Sequence, residues 1–189
     1  RTVTKALGLG MLGVGYQPKW ARHDIPWMPK GRYKIMRDHM PKVGQFGLDM
    51  MLRSCTVQVN LDYSDEPDMR RKFRTSLALQ PVATALFANS PFRDSKPSGL
   101  LSTRAEAWTD TDNARCGVPA CVFDAGFGYQ QWIDYILDVP MYFLHRGEDY
   151  IDVAGQSFRD YLASRLTGFE GMPPNMADLE DHITTAFPE

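Results

Sequence analysis

From residue 51 to 62 the chain alternates: odd positions Met51, Cys55, Val57, Val59 and Leu61 are apolar, and even positions Ser54, Thr56, Gln58, Asn60 and Asp62 are polar. A period of two predicts a β-strand over 51–62 with one wet face. Two readings of that face stand side by side. It is the solvent-facing side of an antiparallel sheet, or it lines a site for a polar ligand, since Asn and Asp are depleted in ordinary strands. Upstream, residues 7–16 alternate apolar side chains with glycines, which predicts a second strand whose glycine face lets something approach closely. Gly8, Gly10 and Gly13 also spell GxGxxG, but the extended pattern runs on to Tyr16 and then Pro18 instead of opening a helix. That order does not fit a dinucleotide fingerprint.

Helical spacing appears elsewhere. Residues 29–40 predict a short helix with Pro29 near its start and Pro41 closing it. A second helix starts at 64–67, carries Met69, Phe73 and Leu77 toward a core, breaks or kinks at Pro81 and runs on to Asn89. Residues 91–119 lack periodicity and read as a long functional loop holding Arg104, Trp108, Asp110, Asp112 and Arg115. Beyond it come a helix over 129–138 with Trp132, Ile133 and Ile136 inward, a hairpin of 141–144 with 150–153, and helices over 157–166 and 177–187.

Composition removes several function classes. With 21 Lys+Arg against 23 Asp+Glu in 189 residues, the formal charge of −2 offers no general attraction to nucleic-acid phosphates. The apolar run 82–88 is far below the roughly 20 residues a membrane helix needs. Three cysteines, at 55, 116 and 121, lack metal-ligand spacing and suit a reducing compartment, so a cytoplasmic location is expected. Cys116 and Cys121 are open to two readings, a disulfide across a turn or buried thiols. Arg1 is not an initiator Met and no charged-then-apolar leader follows it, so no signal peptide is expected and the sequence reads as an internal piece of a longer chain. There is no GxSxG elbow, Walker loop, HExxH pair or CxxC, and the histidines at 23, 39, 145 and 182 sit in unrelated contexts. Asp110 to Asn113 resembles the opening of a calcium loop without its glycine or distant Glu.

The strings MPKGRYKIMRDHMPKV (28–43), TVQVNLD (56–62), LALQPVATALFANSPF (77–92), WTDTDNAR (108–115), DVPMYF (138–143) and HITTAFPE (182–189) closely resemble glutamate-cysteine ligase of the plant and alphaproteobacterial type. The resemblance covers nearly the whole chain. It implies an α+β, glutamine-synthetase-like catalytic fold, a curved antiparallel sheet with helices on its outer face and substrates on the inner one, of which residues 1–189 form part of a single catalytic domain. It also implies that glutamate's γ-carboxylate is joined to the amino group of cysteine, the first step of glutathione biosynthesis, with ATP phosphorylating the carboxylate and Mg2+ holding the phosphates. By the same resemblance Arg32 in KGRY and Arg104 in LSTR are the catalytic arginines that grip glutamate and developing phosphate charge, a task for a guanidinium fork. Tyr142 in PMYF would wall the substrate pocket, and Thr56, Gln58 and Asn60 would line it on one concave face with both arginines. Trp108 and Arg115 are further substrate-binding candidates, although a buried Trp and a loop-bracing Arg explain them nearly as well.

The sequence departs from the plant pattern where Val153 and Gly168 stand in place of regulatory cysteines. The family's chains are also longer, and their N-terminal part holds acidic metal-binding residues. Within the pocket segments here only Asp62, Asp110 and Asp112 are acidic, and none is spaced as a convergent pair, so the metal ligands stay unassigned and the piece alone is expected to be inactive. A non-catalytic amino-acid-binding domain that kept the same sheet is the alternative.

Overall fold

A computed structural model describes residues 2–166, 168–169 and 171–188. The element order is α1 (Thr2–Ala6), α2 (Gly31–Val43), α3 (Gly47–Arg53), α4 (Glu66–Phe87), β1 (Phe92–Arg93), β2 (Lys96–Pro97), α5 (Thr103–Thr109), α6 (Tyr129–Asp138), β3 (Phe143–Arg146), β4 (Asp149–Asp152), α7 (Phe158–Leu162) and α8 (Met176–Ile183), with short 3-10 turns at Arg22–Asp24 and Ala120–Phe123. The strands pair antiparallel as two separate hairpins among the described residues, so the class is α+β. No described helix is long and apolar enough to cross a membrane.

Local chemistry accounts for the element starts. The Asp65 carboxylate accepts the Asp68 N–H at 2.8 Å and caps α4, with Pro67 in the first turn, where its missing N–H costs nothing. Ser102 caps α5 and Asn175 caps α8, the latter in a reciprocal box with Asp178. α6 spans the predicted residues, and β3 and β4 form a hairpin where one was expected, β3 starting two residues later and β4 one residue earlier than predicted, with Phe143 opposite Asp152 and Arg146 opposite Asp149.

Pro41 does not close its helix and Pro81 does not break the one it sits in: α2 continues through Pro41 to Val43, and α4 continues through Pro81 to Phe87. Both prolines are exposed, so water can serve the carbonyl that each ring leaves without a donor. The 91–119 stretch is also more ordered than its lack of periodicity suggests, since it contains β1, β2 and α5, elements too short to print a period. α7 ends well before residue 166, with Ser164 in the left-handed region at φ 55°.

The largest correction concerns the two predicted strands. Residues 51–53 belong to α3, and Ser54 makes one antiparallel bridge with Tyr16. Beyond it, residues 55–62 and 8–14 lie outside any helix or strand, and both parities of 55–62 are exposed. The alternation is real, but a strand needs a neighbour to take its N–H and C=O groups, and among the described residues the pairing stops after Cys55 N–H donates to Gly15 O at 2.9 Å.

Two apolar clusters form the core. Met141, Leu144, Val153, Phe158, Tyr161 and Leu166 join the β3–β4 hairpin to α7, while Met69, Leu77, Val122 and Phe127 seat α4 against the turn at Ala120–Phe123. Cys55 is an exposed thiol and Cys116 and Cys121 are partly covered, and no disulfide joins Cys116 to Cys121. Gly44 ends α2 where the chain passes against the backbone carbonyls of Asp110 and Thr111, so any Cβ there would collide with backbone. Gly44→Ala in the full-length protein is therefore expected to cost about 1–3 kcal/mol, read as a lower urea midpoint. An unchanged midpoint would show that this junction yields freely.

Candidate functional site

Arg104 is the second residue of α5. Its backbone N–H donates to Ser90 Oγ at 3.2 Å, which fixes the first turn of the helix against residue 90. From there the Arg104 guanidinium donates through Nη2 to Thr56 Oγ1 at 3.4 Å, across 48 residues of sequence. One turn along the helix, the Trp108 ring lies 5.5 Å from Arg104 Cζ, a cation–π distance, and packs on Phe187 at 5.8 Å. The Trp108 indole N–H is buried without a hydrogen-bond partner among the described residues, and an unmet buried donor of this kind costs about 1–3 kcal/mol. Thr56, Arg104 and Trp108 are thus brought together.

The other candidates divide. Gln58 donates through Nε2 to Asn60 Oδ1 at 2.8 Å, so this pair lies on one side of the chain, exposed, with the same parity as Thr56. Arg32, in the first turn of α2, stacks over Tyr33 at 5.6 Å, and among the described residues no hydrogen bond or ion pair ties it to Arg104 or to residues 56–60.

Arg115 and Tyr142 sit in a different setting. Arg115, 1% exposed, donates through Nε to Asp112 Oδ2 at 2.6 Å, through Nη1 to Thr185 Oγ1 at 2.8 Å, and through Nη2 to the Pro140 carbonyl. Tyr142, equally buried, donates its hydroxyl to the same Asp112 oxygen at 2.7 Å, with its ring 3.5 Å from Arg115 Cζ. Burial pushes the Tyr142 hydroxyl far above its ordinary value against the opposing pull of Arg115, so it stays a proton donor. Asp112 is the shared carboxylate that sequence reasoning left without a role. Its spacing to Arg115, three residues apart, was the available signal.

His182 carries the clearest pH dependence. Its ring stacks on Phe158 at 4.5 Å, Nε2 lies 2.9 Å from the Ile136 carbonyl, and burial lowers its pKa below 6.5. His39, edge-on to Tyr142, is lowered for the same reason. A folded-state pKa below the unfolded one means stability is fully present above about pH 6.5 and is lost as pH falls from there through the folded value. Thermal melts of the full-length protein from pH 8 to 5 are expected to show this fall, and His182→Gln should flatten it. An unaltered pH slope in His182→Gln would contradict the assignment.

Among the described residues no group of three or more His, Cys, Asp or Glu side chains converges as a metal cage. Asp112 is held by Arg115 and Tyr142, and the acids of α4's first turn serve the backbone and neighbouring cations. The described residues therefore do not fit a magnesium site of their own.

The family model for Glutamate-cysteine ligase family 2 (GCS2) matches residues 1–189. Over the whole chain it is 60% identical to glutamate–cysteine ligase B, chloroplastic, of Oryza sativa subsp. japonica. It is likewise 60% identical to the glutamate–cysteine ligases, chloroplastic, of Nicotiana tabacum and Arabidopsis thaliana. The chain spans 36–38% of the length of these relatives. Their names overturn the expected cytoplasmic location, because sparse unpaired cysteines report a reducing compartment without distinguishing cytoplasm from organelle. A family match over every residue, with high identity across the same span, places the chain in glutamate-cysteine ligase family 2.

Proposed function

We propose that the full-length protein joins the γ-carboxylate of glutamate to the amino group of cysteine at the expense of ATP, the first step of glutathione synthesis, and that residues 1–189 are part of its single catalytic domain, a glutamine-synthetase-like sheet with helices outside. The observation that carries this reading is the Arg104–Thr56 contact: a guanidinium fork that meets the first of three polar side chains spaced two residues apart, beside a tryptophan whose N–H has no partner among the described residues. A planar cation grips a carboxylate bidentately, and Thr56, Gln58 and Asn60 offer the donors and acceptors that an amino acid's charged ends require. Arg32 supplies a second cation for phosphate charge. Arg115 and Tyr142, locked together by Asp112, brace the loop that follows α5. The compartment that goes with this reading is the chloroplast, as named for the relatives.

In the proposed reaction a γ-carboxylate oxygen of glutamate attacks the terminal phosphorus of ATP and ADP leaves. The cysteine amine then attacks the acyl carbon, phosphate departs, and the amine loses a proton. Arg104 and Arg32 would spread the negative charge that builds on the transferring group, and fixed charges of this kind carry most of phosphoryl-transfer catalysis. Magnesium would neutralise phosphate charge, and the described residues hold no cage for it.

The alternative reading is an amino-acid-binding domain on the same sheet that has lost the chemistry. One assay separates the two. The full-length protein with ATP, magnesium, glutamate and cysteine is expected to release phosphate and form the γ-linked dipeptide in equal amounts. Glutamate binding without phosphate release would favour the binding domain.

A further inference from the structure

Residues 7–16 alternate apolar side chains with glycines, a pattern that predicts close approach on the glycine face. Among the described residues that approach happens at one glycine of the run. A Cβ at Gly8, Gly10 or Gly13 would have nothing within 4 Å, but at Gly15 it would stand 3.3 Å from Ser90 Oγ and 3.7 Å from Arg104 Cβ. Gly15 has no positive φ, so its backbone conformation would accept a side chain. What this glycine provides is space beside the stem of Arg104.

The hydrogen bonds around it show what that space is for. The Cys55 N–H donates to the Gly15 carbonyl at 2.9 Å, and the Gly15 N–H donates to the Asn89 carbonyl at 3.0 Å. On the next chain, the Ser90 carbonyl accepts the Thr103 N–H at 2.9 Å, and Ser90 Oγ accepts the Arg104 N–H at 3.2 Å. Ser90 is 3% exposed and bonded on both sides of its peptide, since its own N–H donates to Leu101 O at 3.1 Å. Gly15 and Ser90 therefore stand between the backbone that carries Thr56 and the backbone that carries Arg104. The Arg104 side chain crosses residue 15 to bring Nη2 within 3.4 Å of Thr56 Oγ1.

We propose that Gly15 and Ser90 are positioning residues for Arg104: the bare glycine leaves the path of the side chain open, and the Ser90 hydroxyl fixes where that path begins. The proposal rests on the reading of Arg104 as the arginine that grips glutamate, and adds what aims it. A side chain at residue 15 occupies the path and moves the guanidinium off Thr56. Loss of the Ser90 hydroxyl frees the first turn of α5 to shift, and the fork shifts with it. Misplacement by about 1 Å is enough to cost about 100-fold in a site that works by orientation.

The test uses Gly15→Val and Ser90→Ala in the full-length protein, each alone and each combined with Arg104→Lys. Steady-state kinetics give KM for glutamate and for ATP, and titration calorimetry gives the glutamate Kd. Gly15→Val is expected to raise the glutamate KM and Kd about 100-fold and Ser90→Ala about 10-fold, with the ATP KM nearly unmoved. In the Arg104→Lys background neither should weaken glutamate much further, because a residue that acts only through the guanidinium has nothing left to aim. Losses that multiply in the double variants would mark a merely structural role and overturn the proposal, as would an unchanged glutamate KM and Kd in Gly15→Val. Should Gly15→Val not fold, Gly15→Ala places a single Cβ 3.3 Å from Ser90 Oγ and is read in the same way, with a rise of about 5-fold expected. If the unaltered protein binds glutamate but forms no dipeptide, the ligase reading falls while the calorimetric comparison still decides the role of Gly15 and Ser90. If it binds no glutamate, both fall.

Discussion

Replacing Arg104 with Lys in the full-length protein is expected to lower kcat/KM for glutamate by about 100-fold while leaving the unfolding midpoint nearly unchanged. The substitution keeps the positive charge and removes the fork. A charge-assisted hydrogen bond is worth about 1.5–3 kcal/mol, and roughly 1.4 kcal/mol is a factor of ten. A compact ammonium cannot hold a carboxylate bidentately or lie flat along the Trp108 ring 5.5 Å away. Thr56→Val, which removes the hydroxyl that Arg104 reaches at 3.4 Å, should give a smaller loss of the same sign. Steady-state kinetics with glutamate varied and cysteine saturating read both. Unchanged glutamate kinetics in Arg104→Lys would remove Arg104 from the site.

The second large effect is on stability. Arg115→Met leaves the Asp112 carboxylate buried without its guanidinium partner, in a place where side-chain exposures are 1% for Arg115 and 4% for Asp112. Removing one member of a buried ion pair costs about 3–5 kcal/mol, because the remaining charge is desolvated and unmatched. The double variant Arg115→Met with Asp112→Leu should recover part of that loss, since an apolar pair of similar volume needs no hydrogen bonds. Denaturant unfolding of the full-length protein measures both. A loss below about 1 kcal/mol in Arg115→Met would mean that water or a rearranged Tyr142 replaces the guanidinium.

What could be read from the chain, and what could not, has a physical pattern. α6 was readable because Trp132, Ile133 and Ile136 repeat at helical spacing over the whole element, and the start of α4 because Asp65 and Pro67 carry their own capping chemistry. The β3–β4 hairpin was readable because it closes on itself within a few residues. Residues 51–62 were misread in part: Met51 obeys the period of two by coincidence and belongs to α3, while Val57 and Val59 obey it with no strand beside them among the described residues. α5 was hidden because seven residues cover barely two turns. In the candidate site, the approach of Thr56 to Arg104 spans 48 residues, and no local pattern encodes it; only the family resemblance put the two residues on one face, and it put Arg32 there as well, which no hydrogen bond or ion pair among the described residues ties to them. The burial of Tyr142 and Arg115 was hidden for a related reason, since their common partner Asp112 sits in a loop without period.

The most direct measurement of the central claim is a structure of the full-length protein with glutamate bound. The expected result places a glutamate carboxylate within hydrogen-bond distance of both the Arg104 guanidinium and Thr56 Oγ1, with Gln58 and Asn60 on the same wall. Glutamate bound elsewhere, or helices packed over the Thr56–Asn60 face, would contradict it.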